Sequence, residues 1–232
     1  MKSLLVLATA FAASANLFAA GLDDVKGAAQ KLAATDNYSW TQSMESTQFS
    51  PPPSHGKTEK GGFTYLKFSM RDNTVEAYVK GGKGAIKTED GWQSLEEAAN
   101  ASGDNGPSRF MARRMQNLKV PAAEAEDLAA KAKDLAKTDT VYAGDLTEDG
   151  AKSLLTFGGR RGGQVPEPRN AKGSVKFWVK DGMLTKYQYK VQGTVKNRDG
   201  EDMDVDRTTT VEIQDVGSTK VAVPDAAKGK IS

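Results

Sequence analysis

The sequence contains no cysteine. That excludes disulfides, thiolate metal sites and a cysteine nucleophile. It has one histidine, His55, so histidine-rich metal sites and the usual imidazole general base are almost excluded as well. No charge sign dominates, with 32 Lys and Arg against 30 Asp and Glu. Nothing in that balance points to nucleic acid as a partner. Long apolar runs are also scarce. Only Leu4 to Phe18 is predominantly apolar, interrupted by Thr9, Ser14 and Asn16, and it falls short of a bilayer span, so no membrane-spanning segment is expected. Catalytic signatures are missing too: there is no G-x-S-x-G, H-E-x-x-H or phosphate-binding loop, and no nucleophile–base pair stands out. The expectation is a non-enzymatic protein without cofactor or metal.

What is present begins at the N-terminus. Lys2, the apolar stretch behind it and the small residues from Ala13 to Ala20 have the order of a secretory signal. Residues 1–20 are therefore expected to be a signal peptide. The mature chain, 21–232, would be one domain in the periplasm or outside the cell. Leu22, Val25, Ala29 and Leu32 then fall on one helical stripe.

Residues 48–62 read as a loop, with Pro51-Pro52-Pro53 and His55 inside it. Strands follow at 63–70, 74–80 and 85–88, separated by turns at Arg71-Asp72-Asn73 and Gly81-Gly82, with a further turn at Asp90-Gly91. The middle is helical by its spacing. Candidates are 109–117, 121–137 with Pro121 in the first turn and a thin stripe suited to a surface, and 147–156 capped by Thr147. A short strand is expected at 140–143, and residues 158–173 read as a loop. Arg109, Arg113 and Arg114 form a small basic cluster, and Arg160 and Arg161 another. Either suits an acidic partner or lipid head groups, against the plainer reading of a solvated face.

The C-terminal third alternates most clearly. Val175, Phe177 and Val179 share one side of the strand 174–180. Asp181-Gly182 has the composition of a tight hairpin turn. Met183, Thr185, Tyr187, Tyr189, Val191, Gly193 and Val195 then share one side of a strand over 183–196. Residues 202–214 alternate again, with Met203, Val205, Thr209, Val211 and Ile213 on one side and Arg207 interrupting it. A last strand is expected at 220–223. Asp202, Asp204 and Asp206 do not fit a calcium loop, because Arg207 and Ile213 stand where glycine and glutamate are needed. Their expected partners are Lys186, Lys190 and Lys196 on the neighbouring strand. Long strands with one apolar side need a cover, and the available helices carry mostly alanine.

Taken together, Asn37-Tyr38-Ser39-Trp40, the stretch from Val79 to Glu97 through Asp90-Gly91-Trp92, the hairpin from Gly173 to Leu184, and Thr210 to Gly217 followed by Val221-Ala222-Val223-Pro224 resemble the LolA-like superfamily. These are bacterial lipoprotein-localisation carriers and related exported lipid-binding proteins. The resemblance implies an α+β fold: a strongly curved antiparallel sheet of eight to eleven strands, an incomplete β-barrel, with helices covering its concave face. It also implies an apolar cavity that takes lipids, acyl chains or a lipoprotein. Val175, Phe177, Val179, Met183, Tyr187, Tyr189 and Val191 are the expected lining. The alternative is an exported structural or interaction module with a filled core and no ligand.

Overall fold

A computed structural model describes residues 9–70, 73–88, 91–100, 106–156, 166–197 and 200–231. The elements follow in chain order. They are α1 (Thr9–Ala34), β1 (Asn37–Ser46), β2 (Ser54–Glu59), β3 (Thr64–Met70), β4 (Asn73–Lys80), β5 (Lys83–Thr88), β6 (Gly91–Ser94), α2 (Leu95–Asn100), α3 (Gly106–Gln116), α4 (Pro121–Lys131), β7 (Ala132–Thr138), β8 (Val141–Leu146), α5 (Glu148–Leu155), β9 (Arg169–Lys180), β10 (Met183–Lys196), β11 (Asp202–Gln214) and α6 (Asp225–Lys228). The eleven strands form one antiparallel sheet in the order β6-β5-β4-β3-β2-β1-β11-β10-β9-β8-β7. Its ends, β6 and β7, do not pair, so the curved sheet stays open, as expected of an incomplete barrel.

The sheet follows from its turns. At the β9–β10 hairpin, Asp181 and Gly182 have φ of 53° and 69°. That double left-handed turn matches the twist of the flanking strands. Gly81 and Gly82 do the same between β4 and β5. The long strands then bury alternate residues. Tyr187, Tyr189 and Val191 of β10 face the core, and so do Arg207, Thr209 and Val211 of β11.

Two apolar clusters lie on the two sides of the sheet. The large one fills the concave side beneath the helices. The small one, on the outer side, gathers Tyr65, Tyr78, Ala85 and Trp92 under the C-terminal segment with Val221, Val223, Ala227 and Ile231. On α1, Val25, Ala28, Ala29 and Leu32 are buried at the spacing of one helical face. Gly21 lets α1 approach β7 closely, since a Cβ there would lie 2.3 Å from the Leu135 carbonyl oxygen.

The structure differs from the expectations at several places. The helix expected over 121–137 ends at Lys131, and Ala132 turns extended to start edge strand β7. A bulge with Asp134 at φ 55° bends that strand, so that Leu135 is buried while Lys133 and Lys137 are not. Pairing with β8 outweighs the local helix propensity. Nor is α4 a surface helix, for Ala122, Ala125, Leu128 and Ala129 are all buried. His55 is not in a loop but in β2, beside Thr41 of β1, with Nδ1 3.2 Å from Oγ1. Residues 220–223 form no strand, because they cross the outer cluster instead of pairing. Three further elements were not expected: β6, α2 and α6. Helix α2 begins with a capping box in which the Ser94 N–H donates to the Glu97 carboxylate and the Glu97 N–H to the Ser94 Oγ.

The expected cap of α5 is present: Thr147 Oγ1 accepts from the Gly150 N–H at 3.0 Å. Helix α1 starts at Thr9 rather than Leu22. The expected turn residues Arg71, Asp72 and Asp90, and Arg160 and Arg161 of the expected 158–173 loop, lie outside the described residues; Arg169 to Gly173 of that loop are strand instead, because they extend β9 along β10.

Candidate functional site on the concave face

The seven residues expected to line a cavity do not behave alike. Val175, Phe177, Tyr187, Tyr189 and Val191 are brought together on the concave side, with Phe177, Tyr187 and Val191 at 0% exposure. A side chain that water cannot touch lines no water-sized space, so the helices fill this part of the face. Val179 and Met183 are only half-buried. Met183 pairs with Lys180 near the turn, and an extra residue in β10 between Leu184 and Lys186 shifts the alternation by one. Leu184, opposite Val179, thereby takes the fully buried place that alternation would give to Met183.

Polar groups lie within this apolar floor. Glu124 projects from α4 onto β10, where the Tyr187 hydroxyl donates to its Oε2 at 2.5 Å and the Tyr189 hydroxyl to its Oε1 at 3.4 Å. Desolvation pushes the Glu124 carboxyl above its ordinary value, against the pull of the tyrosine hydrogen bonds and of Arg114. Burial, together with the carboxylate, raises the Tyr187 hydroxyl well above 10 and the Tyr189 hydroxyl to about 12. Tyr38 of β1 makes a second tie to the same helix, its hydroxyl accepting from the Ala122 N–H at 3.4 Å.

Arg207 does not interrupt the inner side of β11; it is part of it. It pairs with Val191, is 7% exposed, and donates from Nη2 to the Leu154 carbonyl of α5 at 2.8 Å. Burial lowers its basicity. Helices α4 and α5 are therefore each tied to the sheet by polar side chains rising from strands.

The packing loosens toward the far end of β10 and β11. Val195, Met203 and Val205 are half-buried, as are Met44 on β1 and Phe68 on β3. By register, Val205 pairs with Gly193 and Met203 with Val195 on the side that carries Arg207. The concave face thus grades from a filled end around Tyr187 to an apolar ledge beyond Arg207. A separate cleft of about 340 Å³ lies by the β7 bulge and is lined mainly by polar residues, among them Lys133, Asp134, Asp145 and Lys176. It is not the expected apolar cavity.

The outer side of β9–β11 is a ladder of ion pairs. Lys190 meets Asp206 at 3.1 Å, Lys196 meets Asp202 at 2.8 Å, and Lys186 meets Glu212 rather than an aspartate. Among the described residues no group of three His, Cys, Asp or Glu side chains is placed to hold a metal, and no helix is long and apolar enough to cross a membrane.

No family model and no curated protein sequence matches this chain. Solved structures do. LprF from Mycobacterium bovis aligns over 90% of this chain and 98% of its own, at 10% identity and a TM-score of 0.46. A LolA superfamily protein from Nitrosomonas europaea aligns over 89% of this chain and 95% of its own, at 8% identity and a TM-score of 0.32. Likeness at these values assigns no function.

Proposed function

We propose that this chain is an exported, non-enzymatic binding protein that takes an acyl chain, as a free lipid or on a lipoprotein, along the concave face, with α4 as its closing element. The signal segment 1–20 would be removed on export. The core residues Val25, Ala28, Ala29 and Leu32 all lie beyond it.

The observation that carries this reading is how α4 is held. Its buried apolar side chains, Pro121, Ala122, Ala125, Leu128 and Ala129, supply only about 7 kcal/mol of burial. The most specific contact is a buried carboxylate on two tyrosines. A buried polar tie is a costly way to fix a helix that leucines would hold better. It suits a cover that must lift as a unit, exposing the aromatic floor and joining it to the ledge of Val195, Met203 and Val205. Tyrosine is apt in such a floor, since its ring is apolar and its hydroxyl can turn to a head group.

The filled end around Phe177 and Tyr187 favours a second reading, a structural module without ligand. Native mass spectrometry of protein from a lipid-containing host, with uptake of a fluorescent long-chain fatty acid, separates the two. The carrier reading expects bound lipid or uptake, faster in Glu124→Gln. No bound lipid and no uptake by either protein leaves the module.

A further inference from the structure

Helix α3 has two unlike faces. Met111, Ala112 and Met115 are buried against the core, whereas Phe110, Arg113, Arg114 and Asn117 are exposed at the i, i+3, i+4, i+7 spacing of a single stripe. Phe110 is 44% exposed, one of few large apolar side chains so placed among the described residues. Residues 106–118 carry three basic side chains, Arg109, Arg113 and Arg114, and no acidic one, in a chain whose net charge is only +2, whereas Lys119 beyond them pairs with Asp127 at 3.3 Å. The β4–β5 turn abuts the end of α3, where a Cβ on Gly82 would lie 3.4 Å from the Gln116 carbonyl oxygen, and exposed Lys80 and Lys83 flank that turn. The outer side of β10 and β11 offers a contrast, because Lys186, Lys190 and Lys196 there are matched by carboxylates.

We infer that the outer face of α3 docks on the surface of an anionic lipid bilayer. Arg113, Arg114 and the two turn lysines would lie at the phosphate level, and the Phe110 ring would enter the acyl boundary. The apolar face of α3 stays in the core, so docking rests on the basic side chains at the anionic surface with the single exposed ring as an added anchor. Each cation near an anionic surface contributes enough to change affinity about fivefold. The aromatic ring on the same stripe favours a bilayer over an acidic protein groove, because a bilayer accepts an isolated ring without a shaped pocket. This docking does not depend on whether the concave face takes a ligand.

The test is co-sedimentation of the full mature protein with vesicles of phosphatidylcholine, with and without phosphatidylglycerol, over a range of salt. Arg114 is left intact because its field also reaches Glu124. The variants are Arg113→Gln, Phe110→Ala and, as a control on the outer sheet face, Lys176→Gln. Binding should require phosphatidylglycerol and weaken with salt. Arg113→Gln should bind about fivefold more weakly, Phe110→Ala should also bind more weakly, and Lys176→Gln should match the wild type. Unchanged thermal unfolding confirms that each variant is folded. Absence of binding at low salt, equal binding to neutral vesicles, or an Arg113→Gln variant no weaker than Lys176→Gln overturns the inference. Capture by an acidic protein without vesicle binding overturns it as well.

Discussion

Replacing Tyr187 by Phe removes one hydroxyl and little else. The ring stays, so no cavity opens and the contacts of Phe177 and Val175 persist. The lost contact is the 2.5 Å hydrogen bond to Glu124. The remaining tyrosine partner, Tyr189, stands 3.4 Å away and compensates poorly. A hydrogen bond to a charged group contributes about 1.5–3 kcal/mol, and the carboxylate left behind is buried. A loss of about 2–3 kcal/mol is expected at neutral pH, which lowers the urea midpoint by about 1 M at a slope near 2 kcal/mol/M. In a Glu124→Gln background the same change removes only a neutral hydrogen bond and should cost under about 1 kcal/mol, so the double-mutant cycle should show coupling above about 1 kcal/mol. A Tyr187→Phe protein within about 0.5 kcal/mol of wild type would refute the view that this pair fastens α4.

Other outcomes follow from the same geometry. Because burial raises the folded Glu124 carboxyl above its ordinary 4.5, the unfolded chain releases that proton first as pH rises. Wild-type stability should therefore fall as pH rises from about 4.5 through the folded value, and the fall should be absent in Glu124→Gln; a parallel pH profile contradicts it. The depressed carboxyls of Asp127, Asp202 and Asp206 act in the opposite sense and at lower pH, below their ordinary 3.8, so the two windows separate. Gly182→Val should lower the melting temperature, because Gly182 has φ 69° and a β-branched residue resists that region. Tyr189→Ala should destabilise by roughly 3–5 kcal/mol, since Tyr189 is 8% exposed and packed on its neighbours; a loss under about 1 kcal/mol would mean that its ring faces open space. Cell fractionation should recover a form shortened by about 15–20 residues outside the cytoplasm, and an uncut cytoplasmic chain would contradict export.

The sheet was legible where a strand has one wet side. Fourteen alternating positions in β10 and the Asp181-Gly182 turn leave few alternatives, and the hairpin is where they place it. Legibility failed where tertiary pairing overrode local preference. Ala132 to Lys137 carry good helix formers, yet edge pairing and the bulge at Asp134 make them a strand. The capping box at Ser94 to Glu97 was a readable signal for α2 that composition alone obscured.

At the site, alternation found the buried floor of Val175, Phe177, Tyr187, Tyr189 and Val191 but misplaced Met183, because one extra residue near Thr185 leaves no mark in the pattern. In sequence Glu124 is an ordinary first-turn acid suited to the helix dipole. Nothing in the sequence brings it 63 residues along the chain to Tyr187. Arg207 looked like a flaw in an apolar stripe. A charged residue at an inward position of a long strand is itself the signal, since burying it demands a partner, and here that partner is the Leu154 carbonyl.

We propose that an acyl chain binds on the concave face beneath α4. Photolabelling with a long-chain fatty acid carrying a diazirine, followed by peptide mapping, tests it directly. Binding there should give covalent adducts on residues 183–214, concentrated at Tyr189, Val191, Val195, Met203 and Val205 and suppressed by unlabelled fatty acid. Adducts that are absent, that resist competition, or that fall only on the outer faces of β9–β11 or on α3 would contradict it.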